Sequence, residues 1–128
     1  MNRSADWLKQ AERDLEAAEN CATAGLHEWT AFATQQCAEK AVKALVESLH
    51  GAARGHSITA ILRQLPASVN VPEAVLEAAR ELDQVYVTSR YPNGFAAGAP
   101  ADYFSQQTSQ RLLNHARSIS QFCRSKIH

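Results

Sequence analysis

Apolar residues recur at helical spacing through four long segments of this chain, and this periodicity limits the possible fold more than any other feature. In the first segment, Leu8, Ala11, Leu15, Ala18 and Ala22 lie three or four residues apart, on one face of a helix. No segment shows the alternation of apolar and polar residues that is typical of a half-buried strand. We therefore predict an all-α protein.

Glycine and proline divide the chain into helical segments joined by loops. We expect long helices over residues 4–24 and 28–50, from residue 72 to the turn that contains Arg90, and over 102–127, with a short helix over 56–65. Ser4 and Asp102 are the expected N-caps of the first and last helices. Four long helices with short loops predict a single domain over residues 1–128, an antiparallel up-and-down four-helix bundle with an extra short helix as a bridge.

The charges balance over the whole chain but not along it. Thirteen basic and thirteen acidic residues give a net charge of zero, so no overall field favours a nucleic acid or a membrane. Residues 1–50 hold eight acids against five bases, a net of −3, whereas four basic residues and no acid follow Asp102, a net of +4. We therefore predict a locally basic surface on the last helix.

Cysteine usage and the N-terminal sequence favour a cytoplasmic protein without a metal or other cofactor. Cys21, Cys37 and Cys123 are an odd, widely spaced set without metal-ligand spacing, as expected for free thiols in a reducing compartment. The first residues do not resemble a signal peptide. No apolar run approaches the ~20 residues that span a bilayer, so we expect no membrane association.

Motifs in a fixed order along nearly the whole chain resemble the HEPN family (higher eukaryotes and prokaryotes nucleotide-binding). They are Trp7-xxx-Ala11-xx-Asp14-Leu15, Gln36-xx-Glu39-Lys40-Ala41-xx-Ala44-Leu45, His56-Ser57-Ile58, Tyr86 with Ser89-Arg90-Tyr91-Pro92, Tyr103, and Ala116-xx-Ile119-xx-Phe122. The resemblance implies a helical bundle that commonly forms homodimers. It also implies a small nucleotidyltransferase as a possible partner protein, as in toxin–antitoxin systems. Some members of the family are toxin RNases, and others are thought to bind nucleotides.

Gln36, Lys40 and Lys43 form one polar stripe on the second helix, at i, i+4 and i+7. One interpretation is a solvated face, supported by the favourable i,i+4 pair of Glu39 with Lys43. The other is an anion contact or the lining of a dimer cleft.

Arg90 lies where the fourth long pattern stops, because Pro92 disfavours the α conformation at Tyr91. Its charge complements the carbonyl end of the helix, which makes it a poor phosphate site by itself. With a second cation, Arg90 could clamp a phosphate while Tyr86 or Tyr91 stacks on a base. Otherwise Tyr86 packs inward and Arg90 stays in water.

His56 precedes the short helix and could cap it through its ring, or contribute to a site. On the last helix, Arg111 and His115 are the nearest match to the Arg–His motif of the RNase branch, but three residues separate them where the motif has four to six. Such a pair could move a 2′-hydroxyl proton and stabilise charge on a phosphate. The alternative is two exposed residues on a basic helix.

The leading hypothesis is a dimeric HEPN-type module that binds a nucleotide, a nucleotidyltransferase or both, through Lys40, Lys43, His56, Arg90 and Tyr91. This hypothesis describes a protein that is not an enzyme. A second is a metal-independent RNase that uses Arg111 and His115 and would contact RNA. A third is a purely structural oligomerisation bundle.

Overall fold

The computed structural model describes residues 2–128 and is helical throughout, with no strand in that range. We number the five α-helices in chain order: α1 Ser4–Thr23, α2 His27–Ser48, α3 Ile58–Arg63, α4 Glu73–Thr88 and α5 Gln106–Lys126. Short 3-10 turns occur at Ala67–Val69, Pro92–Gly94 and Pro100–Asp102, the last two between α4 and α5. The predicted all-α class and five helices are confirmed.

The four long helices alternate in direction, and α2 packs against α1, α4 and α5. Asp14 of α1 faces Lys40, and the carbonyl of Ala18 faces Thr30, so α1 and α2 are antiparallel. His27 and Ser109 bring the N-terminal ends of α2 and α5 together. This arrangement is the predicted up-and-down bundle, and it buries most of α2.

Small side chains allow the neighbouring helices to approach α2 closely. Four alanines of α2 are fully buried, and Cys37 lies among them. Burial raises the pKa of the Cys37 and Cys123 thiols to about 12, since a thiolate would be poorly solvated there. Both cysteines therefore act as small apolar residues of the core, as predicted.

Two helix starts differ from the prediction. The last helix begins at Gln106, where the Ser105 hydroxyl accepts a hydrogen bond from the Thr108 amide. Asp102 instead accepts from the amide of Ala99 in a 3-10 turn before the helix. At the other end of the chain, Ser4 is the first residue of α1 and not its cap. Gly25 follows α1 with a φ of +78°, the left-handed conformation that commonly ends a helix.

The basic residues of the last helix do not form the uncompensated positive surface that we predicted. Three arginines of α5 form ion pairs with acids of α1 and α4, namely Arg111 with Glu81, Arg117 with Glu19, and Arg124 with Glu12. The uneven charge along the sequence is therefore complementarity between packed helices. Over the residues that the structure describes, no helix is apolar over enough of its length to cross a membrane.

Candidate functional site

Arg90 packs among aromatic rings at the C-terminal end of α4. Its Nε and Nη2 both donate to the carbonyl of Tyr86, at 3.0 and 2.7 Å. Its Cζ lies 4.3, 4.8 and 5.1 Å from the ring centroids of Phe32, Tyr86 and Tyr91. The guanidinium thus satisfies a helix-end carbonyl and forms cation–π contacts with three rings. The interpretation in which Arg90 stays in water is wrong.

His56 extends this aromatic cluster along α4. Its ring stacks on that of Tyr86 with centroids 4.7 Å apart, and its Nδ1 lies 3.2 Å from Oε1 of Glu39. Phe32 in turn contacts Trp29, which is 48% exposed. We call this surface the α2–α4 face: Trp29, Phe32, His56, Tyr86, Arg90 and Tyr91.

The predicted capping role of His56 is wrong. Ser57 is the N-cap of α3, where its hydroxyl accepts from the amide of Ala60. The carboxylate of Asp83 on α4 accepts from the Ile58 and Thr59 amides, at 2.7 and 3.1 Å. Because these two side chains satisfy the start of α3, the His56 ring is left to stack on α4.

Glu39 is a buried carboxylate beneath the α2–α4 face. It accepts from Lys43 Nζ at 3.0 Å and from the side-chain amide of Gln35 at 3.1 Å, in addition to its contact with His56. The side chains of Glu39 and Lys43 are only 5% and 12% exposed. Glu39 therefore links Lys43 to His56, and the charge of Lys43 is compensated inside the protein.

Lys40 points away from this cluster, toward α1. Its Nζ lies 2.6 Å from Asp14 Oδ2, and its side chain is 21% exposed. Gln36 donates to Gln35 beside it. The polar stripe is therefore not a solvated face, since its lysines are largely covered ion-pair partners, but the predicted i,i+4 pair of Glu39 with Lys43 is present.

The structure thus brings together His56, Arg90 and Tyr91, joins Lys43 to them through Glu39, and leaves Lys40 apart. Sequence reasoning did not name Trp29 and Phe32 among the candidate site residues. Their spacing along α2 also fits a core position, but the fully buried positions of this helix include four alanines.

Arg111 and His115 meet at a second carboxylate, on the opposite side of α4. Arg111 Nε donates to both oxygens of Glu81, at 2.9 and 2.8 Å, and His115 Nε2 lies 2.6 Å from Oε1. Burial acts against ionisation of Glu81, but these hydrogen bonds and charges outweigh it and lower its pKa. Arg111 is exposed, as one interpretation predicted, whereas His115 is partly buried and both side chains contact Glu81. RNA cleavage by this pair stays a prediction.

An open groove of about 730 Å³ lies beside these residues. We call it the α4–α5 groove, and its lining includes Glu77, Arg80, Glu81, Gln84, Arg111, Asn114, His115 and Ser118. No group of three or more histidine, cysteine or acidic side chains is placed to hold a metal ion in residues 2–128.

Comparisons with known proteins agree with one another on the fold. A family model described as HEPN domain matches residues 4–126. The structure of TT1696 from Thermus thermophilus is 40% identical, covers 98% of this chain and 99% of its own, and superposes with a TM-score of 0.96. The structure of ST0689, described as an archaeal HEPN homologue, is 40% identical over the full length of both chains, with a TM-score of 0.85.

A more distant relative carries a functional name. The protein named "Putative toxin MJ1304" from Methanocaldococcus jannaschii is 24% identical over 88% of this chain and 80% of its own length.

Proposed function

The chain belongs to the HEPN family, and from that premise we propose that it is the helical module of a toxin–antitoxin-like system, which forms a homodimer through its α2–α4 face. The name of the Methanocaldococcus jannaschii relative supports the class of system. The family resemblance supports the dimer, and a small nucleotidyltransferase as the protein that the dimer binds. The expected site of action is the cytoplasm.

The observation that carries this proposal is the packing of Arg90 against three rings on an exposed face. Arginine, tyrosine and tryptophan are the residues that most often dominate the energy of protein interfaces. Trp29 and Tyr91 are 48% and 50% exposed, so considerable aromatic surface is available to a partner. Because Phe32 and Tyr86 hold Arg90 in place, little side-chain entropy remains to be lost on association.

Charge compensation favours a protein partner over a phosphate on this face. Lys43 is paired with Glu39 and Lys40 with Asp14, so neither lysine supplies the second cation that a phosphate site beside Arg90 requires. Arg90 itself already donates twice to the Tyr86 carbonyl. A second copy of the chain can place the same rings and arginine against this surface across a two-fold axis, because such an interface is self-complementary.

The mass of the protein in solution tests the dimer. We expect light scattering coupled to size-exclusion chromatography to give twice the mass of one chain, and Arg90→Ala and Tyr91→Ala to shift the protein toward the monomer. Arg80→Ala is the matched control, since Arg80 is also on α4 but pairs with Glu73 outside the face. A wild-type protein that stays monomeric at micromolar and higher concentrations would contradict the proposal.

Nucleotide binding at the same face is a second candidate, favoured by the half-exposed ring of Tyr91 beside Arg90. A ligand that binds only the native state raises its stability by about 2.7 kcal/mol at a hundred times its dissociation constant. Thermal unfolding with a panel of nucleotides therefore tests this candidate. A melting temperature that rises in the wild type and not in Tyr91→Ala would support it, whereas no shift with any nucleotide would reject it.

A further inference from the structure

The loop between α4 and α5, residues 91–105, is ordered by contacts within itself. The rings of Phe95 and Tyr103 stack nearly parallel with centroids 3.9 Å apart, and the Tyr103 hydroxyl donates to a carbonyl of the loop. The Asp102 carboxylate accepts from a backbone amide of the same segment. Gly98 has a φ of +83°, which turns the chain beside the Tyr103 ring. We call this segment the aromatic loop.

The two stacked rings lie outside the hydrophobic core. In residues 2–128, neither Phe95 nor Tyr103 is among the side chains that pack against the core, whereas the adjacent Phe104 does so. Tyr103 is 49% exposed. Loops longer than about 12 residues are uncommon in compact domains unless they are disordered or serve a function. Because internal contacts order this one, we interpret its rings as a binding surface.

The aromatic loop lies at the same end of the bundle as the α2–α4 face. It begins at Tyr91, which belongs to that face, and its turn over Pro100–Asp102 contacts α2. It ends at Ser105, the N-cap of α5, and the contact of His27 with Ser109 holds the start of α5 beside the start of α2. The loop therefore continues the α2–α4 face around this end of the bundle.

We propose that the aromatic loop is the second part of the dimer interface and packs against a second copy of this chain. The inference rests on the proposed function, since it extends the face through which the dimer forms. A stable interface buries about 800 Å² on each partner. Trp29 and Tyr91 are about half exposed and offer roughly 100 Å² each, so the exposed rings of the α2–α4 face cover only part of that area. The loop supplies further aromatic surface next to them.

The charge of the aromatic loop favours a second copy as its partner. Residues 91–105 contain a single charged side chain, Asp102, and its carboxylate is already bound to a backbone amide. A two-fold interface places the same surface on both sides, so a charged patch would meet its own charge there. An almost uncharged surface avoids this repulsion. Because the loop is ordered before association, little conformational entropy is lost when the dimer forms.

The dissociation constant of the dimer, measured by sedimentation equilibrium, tests the contribution of the loop. We expect Tyr103→Ala to raise this constant at least tenfold, because it removes a large ring from the interface. Leu49→Ala is the matched control: Leu49 is 43% exposed but follows the C-terminal end of α2, at the other end of the bundle. It should leave the constant within about twofold. Tyr103→Phe keeps the ring and should also form the dimer.

Amide hydrogen exchange on the unmodified protein gives a readout that does not depend on how a variant folds. We expect the amides of residues 95–104 to exchange more slowly at protein concentrations above the dissociation constant than below it. The amides of residues 64–72, which precede the N-terminal end of α4, are the internal control and should exchange equally at both concentrations.

The outcomes separate this inference from the proposed function. A wild-type protein that is monomeric at every concentration would contradict the dimer itself. A stable dimer with the same dissociation constant in Tyr103→Ala, or with loop amides that exchange equally in both states, would overturn the role of the loop and leave the dimer through the α2–α4 face intact.

Discussion

Two carboxylates, Glu39 and Glu81, each hold one histidine and one basic side chain, yet they lie in opposite environments. The Glu39 side chain is 5% exposed and binds Lys43 and His56 beneath the α2–α4 face. The Glu81 side chain is 29% exposed and binds Arg111 and His115 at the rim of a groove. The same set of charges therefore serves different purposes, because water reaches one cluster and barely reaches the other.

Solvent access decides how much each cluster contributes to stability. A buried charge must keep its partner, since an uncompensated charge in the interior is costly. An exposed ion pair contributes little to stability, because water and salt screen it. We therefore interpret the Glu39 cluster as a support for the aromatic face above it, and the Glu81 cluster as a solvent-accessible contact between α4 and α5.

The largest expected difference between the clusters is in stability. We expect Glu39→Ala to lower the free energy of unfolding by about 3 kcal/mol, because it leaves the nearly buried Lys43 without its partner and removes one of the two acceptors of the Gln35 side-chain amide. Glu81→Ala, the matched substitution, should cost about 1 kcal/mol or less. Urea denaturation measures both values. Equal losses of stability in the two variants would contradict the distinction between a buried structural cluster and an exposed one.

A second difference concerns the two arginines. Arg90→Lys should lower the free energy of unfolding by about 1–2 kcal/mol, because a lysine cannot donate twice to the Tyr86 carbonyl and stack on the rings as a guanidinium does. Arg111→Lys should change it by about 0.5 kcal/mol or less, since the pair with Glu81 is exposed. Thermal or urea unfolding checks this comparison, and a larger loss at Arg111 would reverse our assignment of the two sites.

The contribution of the Glu81 cluster to stability should depend on pH. The pKa of Glu81 is lowered in the folded protein, so its contribution is complete above the usual pKa of glutamate in the unfolded chain and is lost as the pH falls through the folded value. Between about pH 5 and pH 3, the wild type should therefore lose a few tenths to 1 kcal/mol more stability than Glu81→Gln. Denaturation at a series of pH values measures the difference, and parallel curves would contradict it.

The helices and the core could be predicted from the sequence because apolar spacing and helix-breaking residues are local signals. Leu45, Leu82 and Leu112 are fully buried as their periodicity indicates. The first residue of the last helix could not be predicted from the sequence, because Asp102 and Ser105 are both good N-cap residues. Which of them caps the helix depends on the 3-10 turn that precedes it.

The candidate sites were less predictable because their partners are distant in sequence. His56 stacks on a ring 30 positions later, and Lys40 pairs with an acid 26 positions earlier. Glu81, which links the predicted pair Arg111 and His115, gave no signal of its own in the sequence. Side chains that meet only after the helices pack cannot be paired by spacing along one helix.

The smallest expected difference is in the response to salt. At about 1 M salt the screening length falls to about 3 Å, so an exposed ion pair weakens while a buried pair is less affected. The Glu81–Arg111 coupling energy, measured by a double-mutant cycle in urea denaturation, should therefore decrease by a few tenths of a kcal/mol between low and high sodium chloride. The Glu39–Lys43 coupling should stay constant within error. If both couplings fell equally, the Glu39 cluster would be as accessible to ions as the groove, and burial would no longer distinguish the two clusters.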